Sequence, residues 1–193
     1  MNLPYADVLI HSGDFTLDGE EEEVIKFNEW LGKLPHKHKI VIAGNHEICL
    51  DLKFKLNIKK ILSNCTYLEH QSAIVNNINI FGTPYQPVYY DMAFNINDKD
   101  RKKLFDKIPE DTNILITHCP PYGILDKLYD NKCVGDKVLL DCINTRLKSL
   151  KYHAFGHIHE ANGLLIKDGV TYINAAICNL NYKPNNKYYT FEI

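Results

Sequence analysis

The stretch YHAFGHIHE, residues 152–160, holds a strand and a cluster of metal-type ligands in one short segment. Tyr152 to Phe155 is apolar and aromatic enough for a buried strand, and the run stops at Gly156. His157, His159 and Glu160 follow at once. In an extended chain, side chains at i and i+2 project to the same side, roughly 6 to 7 Å apart along the strand. Both imidazoles would therefore sit over one patch of space.

The same design recurs upstream. DVLIHSGD (7–14) ends on Asp14, KIVIAGNHE (39–47) on Asn45, His46 and Glu47, and NILITHCPP (113–121) runs into His118. Strands that each deliver polar residues at their carboxyl ends predict an α/β sheet whose loops converge over one edge, where such sheets bind ligands. Gly13, Gly44 and Gly156 precede these residues, as a sharp turn or a close backbone approach requires.

Between the strands lie helical patterns. Glu20 to Glu23 place carboxylates at the positive end of a helix that runs to about Leu34, with Val24, Phe27, Leu31 and Leu34 on one face and Pro35 after it. A second pattern covers about Asp51 to Leu62. A third covers about 137 to 150, with Val138 or Leu139, Ile143, Leu147 and Leu150 as its buried stripe. AIVNNINIFG, GLLI, VTYIN and KYYTFEI read as further strands, and Asp168-Gly169 as a hairpin turn. Strands alternating with helices early in the chain predict parallel sheet, and the late hairpin adds an antiparallel part. The sheet should be mixed.

At 193 residues, 45% hydrophobic and 24% charged, the chain suits one domain with one well-buried core. A net charge of -2 argues against nucleic acid or an anionic membrane as partner and leaves small phosphorylated substrates open. The N-terminus, MNLPYADVLIHSGD, has neither the basic start nor the apolar length of a signal peptide or membrane span. Six cysteines without a C-x-x-C pair read as reduced thiols, which points to the cytoplasm. Oligomeric state is not legible.

Oxygen ligands from Asp14 and Asn45, with imidazoles from His118, His157 and His159, form a mixed set without thiolate. Such a set favours Mn, Fe or Zn. Two ions roughly 3.5 to 4 Å apart, bridged by a carboxylate, stabilise the attacking and leaving oxygens of a displacement at phosphorus. His157 and His159 would then serve different ions. Among the other candidates, His11 reads as a supporting residue, His153 and Glu160 as structural, and His36, His38 and His70 as solvated. GTPYQP (82–87) reads as a loop, with Tyr85 or Gln86 available to line a cleft.

In these motifs, GD at 13–14, GNHE at 44–47, His118 at a strand end and GHIH at 156–159, the chain resembles the calcineurin-like metallophosphoesterases. The wider context, FNEWLGKLP, ITHCPP and YINAA, is similar to that family's animal metallophosphoesterase-domain subgroup. The resemblance implies two mixed sheets packed as a sandwich flanked by helices. It implies a phosphoesterase, in this subgroup a phosphodiesterase with cyclic nucleotides among its candidate substrates, working through a dinuclear centre and a metal-bound hydroxide. Carried over, Asp14 bridges both ions; Asn45, His118 and His157 complete one shell; His159 binds the other ion; and His46 acts beside them on the transition-state charge or the leaving oxygen.

The family's opening D-x-H motif, which supplies an aspartate and a histidine to the second ion, has no counterpart here. The expectation is a single domain over 1–193, N-terminally incomplete, with a gap in one sheet. One ion would keep its full set and the other only Asp14 and His159. Leu17 stands where many relatives place an acid that orients the GNH histidine, and Cys119 where close relatives have glycine. The alternative function is a truncated or degenerate, non-catalytic member that uses the fold to bind a partner.

Overall fold

The apolar runs pair into two sheets. In the computed structural model, which describes residues 3–51 and 58–193, β1 (Val8–His11), β2 (His38–Val41) and β3 (Thr66–Tyr67) form one sheet in that order. The other contains β4 (Gln71–Val75), β5 (Ile78–Thr83), β6 (Ile114–Thr117), β7 (Tyr152–Phe155), β8 (Gly163–Lys167) and β9 (Val170–Asn174), in the order β4-β5-β6-β7-β9-β8. This sheet is mixed: β5, β6, β7 and β9 run parallel, while β4 and β8 are antiparallel to their neighbours. The smaller sheet, expected to be mixed as well, is parallel in both described pairings. Its connections pass through α1 (Glu21–Gly32) and α2 (Ile58–Ile61), and a helical crossover returns the chain in the same direction.

Hairpin turns form where the chain can turn left-handed. Asp168 and Gly169 have φ of 50° and 79°, and Asn76 and Asn77 have 51° and 65°, as a two-residue hairpin demands. The run AIVNNINIFG therefore holds two strands and their turn.

The packing is helix, sheet, sheet, helix. Ile40, Ile42 and Leu68 of the small-sheet side meet Val75, Ile80, Ile114 and Ile116 of the large sheet. On the outer face of the large sheet, Phe81, Leu115, Phe155 and Tyr172 pack with Phe105 of α3 (Asp98–Phe105) and with Leu139, Cys142 and Ile143 of α4 (Lys137–Thr145). Val24 of α1 packs with Ala43, Leu50, Leu62 and Phe94 on the outer face of the small sheet. Each of the Val, Leu, Ile and Phe side chains among them contributes about 1.5 to 3 kcal/mol by leaving water.

Helix boundaries shift for local reasons. The Glu23 carboxylate accepts from the N–H groups of Leu17, Asp18 and Glu20, fixing the start of α1, which stops at Gly32 rather than Leu34. α4 ends at Thr145, short of the expected 150, yet Leu147 and Leu150 still reach the core. Helix α3 is not visible as an apolar stripe, since DKDRKKLF buries only Arg101 and Phe105; Asn97 caps it by accepting from the Asp100 N–H at 3.0 Å. Arg101 is buried because its guanidinium meets Asp136 at 2.7 and 3.1 Å. Of the helical pattern expected near 51–62, Ile58–Ile61 is helix and residues 52–57 lie outside the described part.

KYYTFEI (187–193) forms no strand, contrary to expectation. Phe191 instead stacks on Tyr152, with ring centroids 4.1 Å apart, and the Tyr152 hydroxyl donates to the Glu192 carbonyl at 2.6 Å. Strand β1 is an edge of its sheet, and a cavity of about 1590 Å³ lies along it, lined by Leu9, Ile10, Val75, Ile80, Ile114 and Phe191 among others. A strand pattern without a ladder partner leaves its backbone groups unpaired, which is why the tail reads as β and does not form it.

Two histidines expected in solvent are inside. His36 is buried with Nε2 3.0 Å from the Pro4 carbonyl, and half-buried His70 has Nδ1 3.3 Å from the Thr83 hydroxyl. His153 is structural, as expected: it is fully buried, and its Nε2 lies 2.9 Å from Thr117 Oγ1. Thr117 gives its own proton to the Cys119 carbonyl, so His153 donates. Burial lowers the His153 pKa from 6.5 to about 3. Between those values the unfolded chain binds a proton that the folded chain refuses. Stability is therefore full above pH 6.5 and falls with pH below it, by at most about 1.4 kcal/mol per pH unit for this group. Urea midpoints at pH 7, 6 and 5 should show a shallower loss in His153→Gln than in the parent. Identical slopes would remove His153 from the account.

Candidate metal centre

The carboxyl ends of four strands meet where the two sheets come together. β1 and β2 bring Asp14 and Asn45 from the small sheet; β6 and β7 bring His118 and His157 from the large one. A hydrogen bond from His118 Nδ1 to the Ser12 carbonyl at 2.8 Å ties the sheets at this point. That bond also sets the ring's tautomer. With Nδ1 donating, Nε2 of the neutral ring carries a lone pair, and around it lie Asn45 Oδ1 at 2.9 Å, Asp14 Oδ2 at 3.1 Å and His157 Nδ1 at 3.2 Å.

Carboxylate and amide oxygens accept but cannot donate, so electron pairs converge there. The arrangement asks for a cation, either a proton on Nε2 or a metal ion. Donor atoms of Asp14, His118 and His157 all lie within 4.8 Å of one another. Two nitrogens and a carboxylate oxygen, with an amide oxygen alongside, suit a borderline divalent ion. A Nδ1–H held by a backbone carbonyl is the usual support for a ligating imidazole.

The electrostatics follow from this crowding. Burial opposes ionisation of Asp14, but the His118 charge and hydrogen bond, with the His46 N–H, hold its pKa well below the carboxylate range. Burial also opposes a proton on His118, and Asp14 outweighs it, so the pKa stands above its ordinary value. Nearby His157 has its pKa lowered to about 3, by burial first and then by His118. One ring attracts a proton in the absence of metal while its neighbour stays neutral.

Local backbone makes the convergence possible. Asp14 and His157 adopt left-handed conformations with φ of 57° and 65°, unusual for residues with side chains and common at functional sites. Gly13 turns at φ 95°, and a Cβ on Gly44 would collide with Asp14 Oδ1 and the His118 ring. Only glycine lets the β2 loop pass behind these two ligands.

GHIH is not extended chain. β7 ends at Phe155, His157 is left-handed, and a 3-10 turn begins at His159. The turn, not i and i+2 alternation, sets the two rings, and His159 lies outside the three-residue cluster, with Nδ1 3.2 Å from the Asn179 carbonyl. His46 sits beside the cluster. Its backbone N–H donates to Asp14 Oδ1 at 3.0 Å and its Nδ1 lies 2.7 Å from the Leu17 carbonyl. The backbone of Leu17 thus orients the ring without an acidic side chain at that position.

His11 is a supporting residue, edge-on to Phe27 at 5.1 Å and accepting from the Gly13 N–H. Tyr85 and Gln86 are taken up in structural contacts, Tyr85 with Glu69 and Gln86 with Ala93 and Asn95. Sequence reasoning placed Glu47 at a strand end but gave it no role. It is fully buried and accepts from the N–H groups of Asp14 (2.9 Å), Thr16 (2.8 Å) and Gly44, binding the β1 and β2 loops together. Burial, then the Asp14 charge, pushes its pKa up to about 7. The available signal was an acid in a glycine-bounded motif followed directly by apolar Ile48.

Fold and donor set together define an α/β sandwich with a candidate cation-binding cluster at its strand ends. Residues 3–161 match the family model for calcineurin-like phosphoesterases, and the chain belongs to that family. It is 41% identical over 210 residues to human metallophosphoesterase domain-containing protein 1, a match that covers 96% of this chain and 64% of that protein. The chain thus spans a little under two-thirds of that relative's length. A Nostoc protein named 3',5'-cyclic-nucleotide phosphodiesterase is 23% identical, over 81% of this chain and 57% of its own. One crystal structure aligns with a TM-score of 0.63 at 18% identity, covering 81% of this chain and 63% of its own, a likeness of fold. Among the described residues no helix is long and apolar enough to cross a membrane.

Proposed function

We propose that this chain hydrolyses small phosphodiesters, cyclic nucleotides among them, at a centre of two divalent ions, Mn, Fe or Zn, held by Asp14, Asn45, His118, His157 and His159. Family membership supports a metal-dependent phosphoesterase; the carrying observation for the site is the His118 Nε2 lone pair facing Asp14 and Asn45 oxygens at 3.1 and 2.9 Å. Bound ions would polarise the phosphoryl group and make a water nucleophilic at neutral pH.

The protein's own residues do the rest. The Ser12 carbonyl keeps His118 in the ligating tautomer, and Glu47 holds the Asp14 and Gly44 backbones at the distance the ligands need. His46, with Nδ1 on the Leu17 carbonyl, keeps its other ring nitrogen for substrate, where it stabilises developing charge or protonates the leaving oxygen. The test is turnover of bis(p-nitrophenyl) phosphate against p-nitrophenyl phosphate by the chain loaded with Mn(II), with a count of bound ions. Faster diester cleavage supports the reading. Metal binding without turnover of either ester favours the non-catalytic alternative.

A further inference from the structure

Two exposed tyrosines flank the centre. Tyr182, 59% exposed, meets the ring of His159 edge-on at 5.6 Å and that of His46 at 6.4 Å. Tyr89, 45% exposed, meets His157 edge-on at 5.2 Å. Neither hydroxyl is hydrogen-bonded to another described residue, and neither ring belongs to a core cluster. The fold nonetheless holds both in place. Asn95 accepts from the Tyr89 N–H at 3.0 Å and donates to the Tyr89 and Tyr90 carbonyls at 3.2 and 2.8 Å. On the other loop, the Tyr182 N–H donates to the Asn179 carbonyl, and Asn179 Oδ1 accepts from Asn181 and Lys183. Asn186 Nδ2 binds the carbonyls of His159, Ala176 and Cys178 at 3.0 to 3.1 Å, so the Tyr182 loop is stitched to the His159 backbone itself. At Tyr182 the backbone is left-handed, φ 54°.

Stapled loops that present aromatic rings to solvent beside a site leave those rings free to pack on something that arrives there. Tyrosine offers a large flat surface at low entropic cost, and a purine or pyrimidine stacks on it whatever its edge chemistry. We propose that Tyr89 and Tyr182 are the specificity-determining walls of this centre, packing against the nucleobase of a nucleotide whose phosphate lies at Asp14, His118 and His157. This rests on the phosphoesterase reading, with nucleotides among its substrates, and adds to it the residues that select them.

Calorimetric titration of the Mn(II)-loaded chain with adenosine 5'-monophosphate, ribose 5-phosphate and inorganic phosphate separates the two. The nucleotide should bind about tenfold more tightly than the sugar phosphate. Tyr89→Ala and Tyr182→Ala should each remove most of that preference, the Phe replacements should keep it, and inorganic phosphate should bind all five proteins alike. Equal affinity for nucleotide and sugar phosphate, or a preference untouched by both Ala variants, overturns the tyrosine walls and leaves the phosphoesterase reading standing. Absence of phosphate binding by the metal-loaded parent overturns the reading beneath.

Discussion

A His118→Ala chain should bind Mn(II) at least about a hundredfold more weakly than the parent. Substitutions one shell further out already cost ten- to a hundredfold in metal sites, and His118 is central: Asp14, Asn45 and His157 all approach its Nε2 within 3.2 Å. Removing the ring also frees the Ser12 carbonyl from the Nδ1–H that reaches it across the two sheets. Far-ultraviolet circular dichroism should stay close to the parent's, since the strands are held by the Ile40, Ile80 and Ile116 interface and not by the site. Unchanged affinity with unchanged fold would mean that the cluster is a proton-binding network only. In that case His118 carries its proton against Asp14, and the site has no metal role.

His46→Asn should lower kcat by about two to four orders of magnitude, the usual contribution of a positioned acid or base, while the number of bound ions stays the same. The backbone N–H that steadies Asp14 survives this change, and only the ring on the Leu17 carbonyl is lost. KM should move little, because a group that acts on charge developing in the transition state does not hold the ground state. If ions are lost together with activity, His46 supports the metal shell instead. A kcat within a few-fold of the parent would assign leaving-group protonation to water.

Much of the centre was legible because its logic is local. A β-branched run ending in a polar residue predicts a strand and what the strand delivers, and four such runs end on Asp14, Asn45, His118 and His157, of which the fold brings Asp14, His118 and His157 into one cluster with Asn45 beside them. Helix α3 was hidden because its stability comes from Arg101 reaching Asp136, a partner far along the chain, and from a single Asn97 cap. Glu47 was hidden because a carboxylate beside a histidine reads as a ligand or as surface, whereas here it accepts N–H groups from two loops. Tyr89 and Tyr182 lie outside every strand-end motif, and only loop geometry brings them beside the histidines.

By itself the sequence determined an α/β class with a mixed sheet, the order of strands and helices around the motifs, the hairpin at Asp168-Gly169 and the chemical type of the residues at the strand ends, while the division into two sheets was implied only by the family resemblance. These follow from periodicity, turn residues and donor chemistry, which act over a few neighbours. Tertiary structure alone decided that the smaller sheet is parallel in both described pairings and that KYYTFEI joins no strand ladder and lines a cavity of about 1590 Å³. It also decided that His159 stands apart from the three-residue cluster and that a Leu17 carbonyl orients His46. The physical reason is common to all four. A strand needs a partner's backbone, and a side chain needs a neighbour's atom, and both are supplied by segments distant in sequence that meet only when the sheets pack.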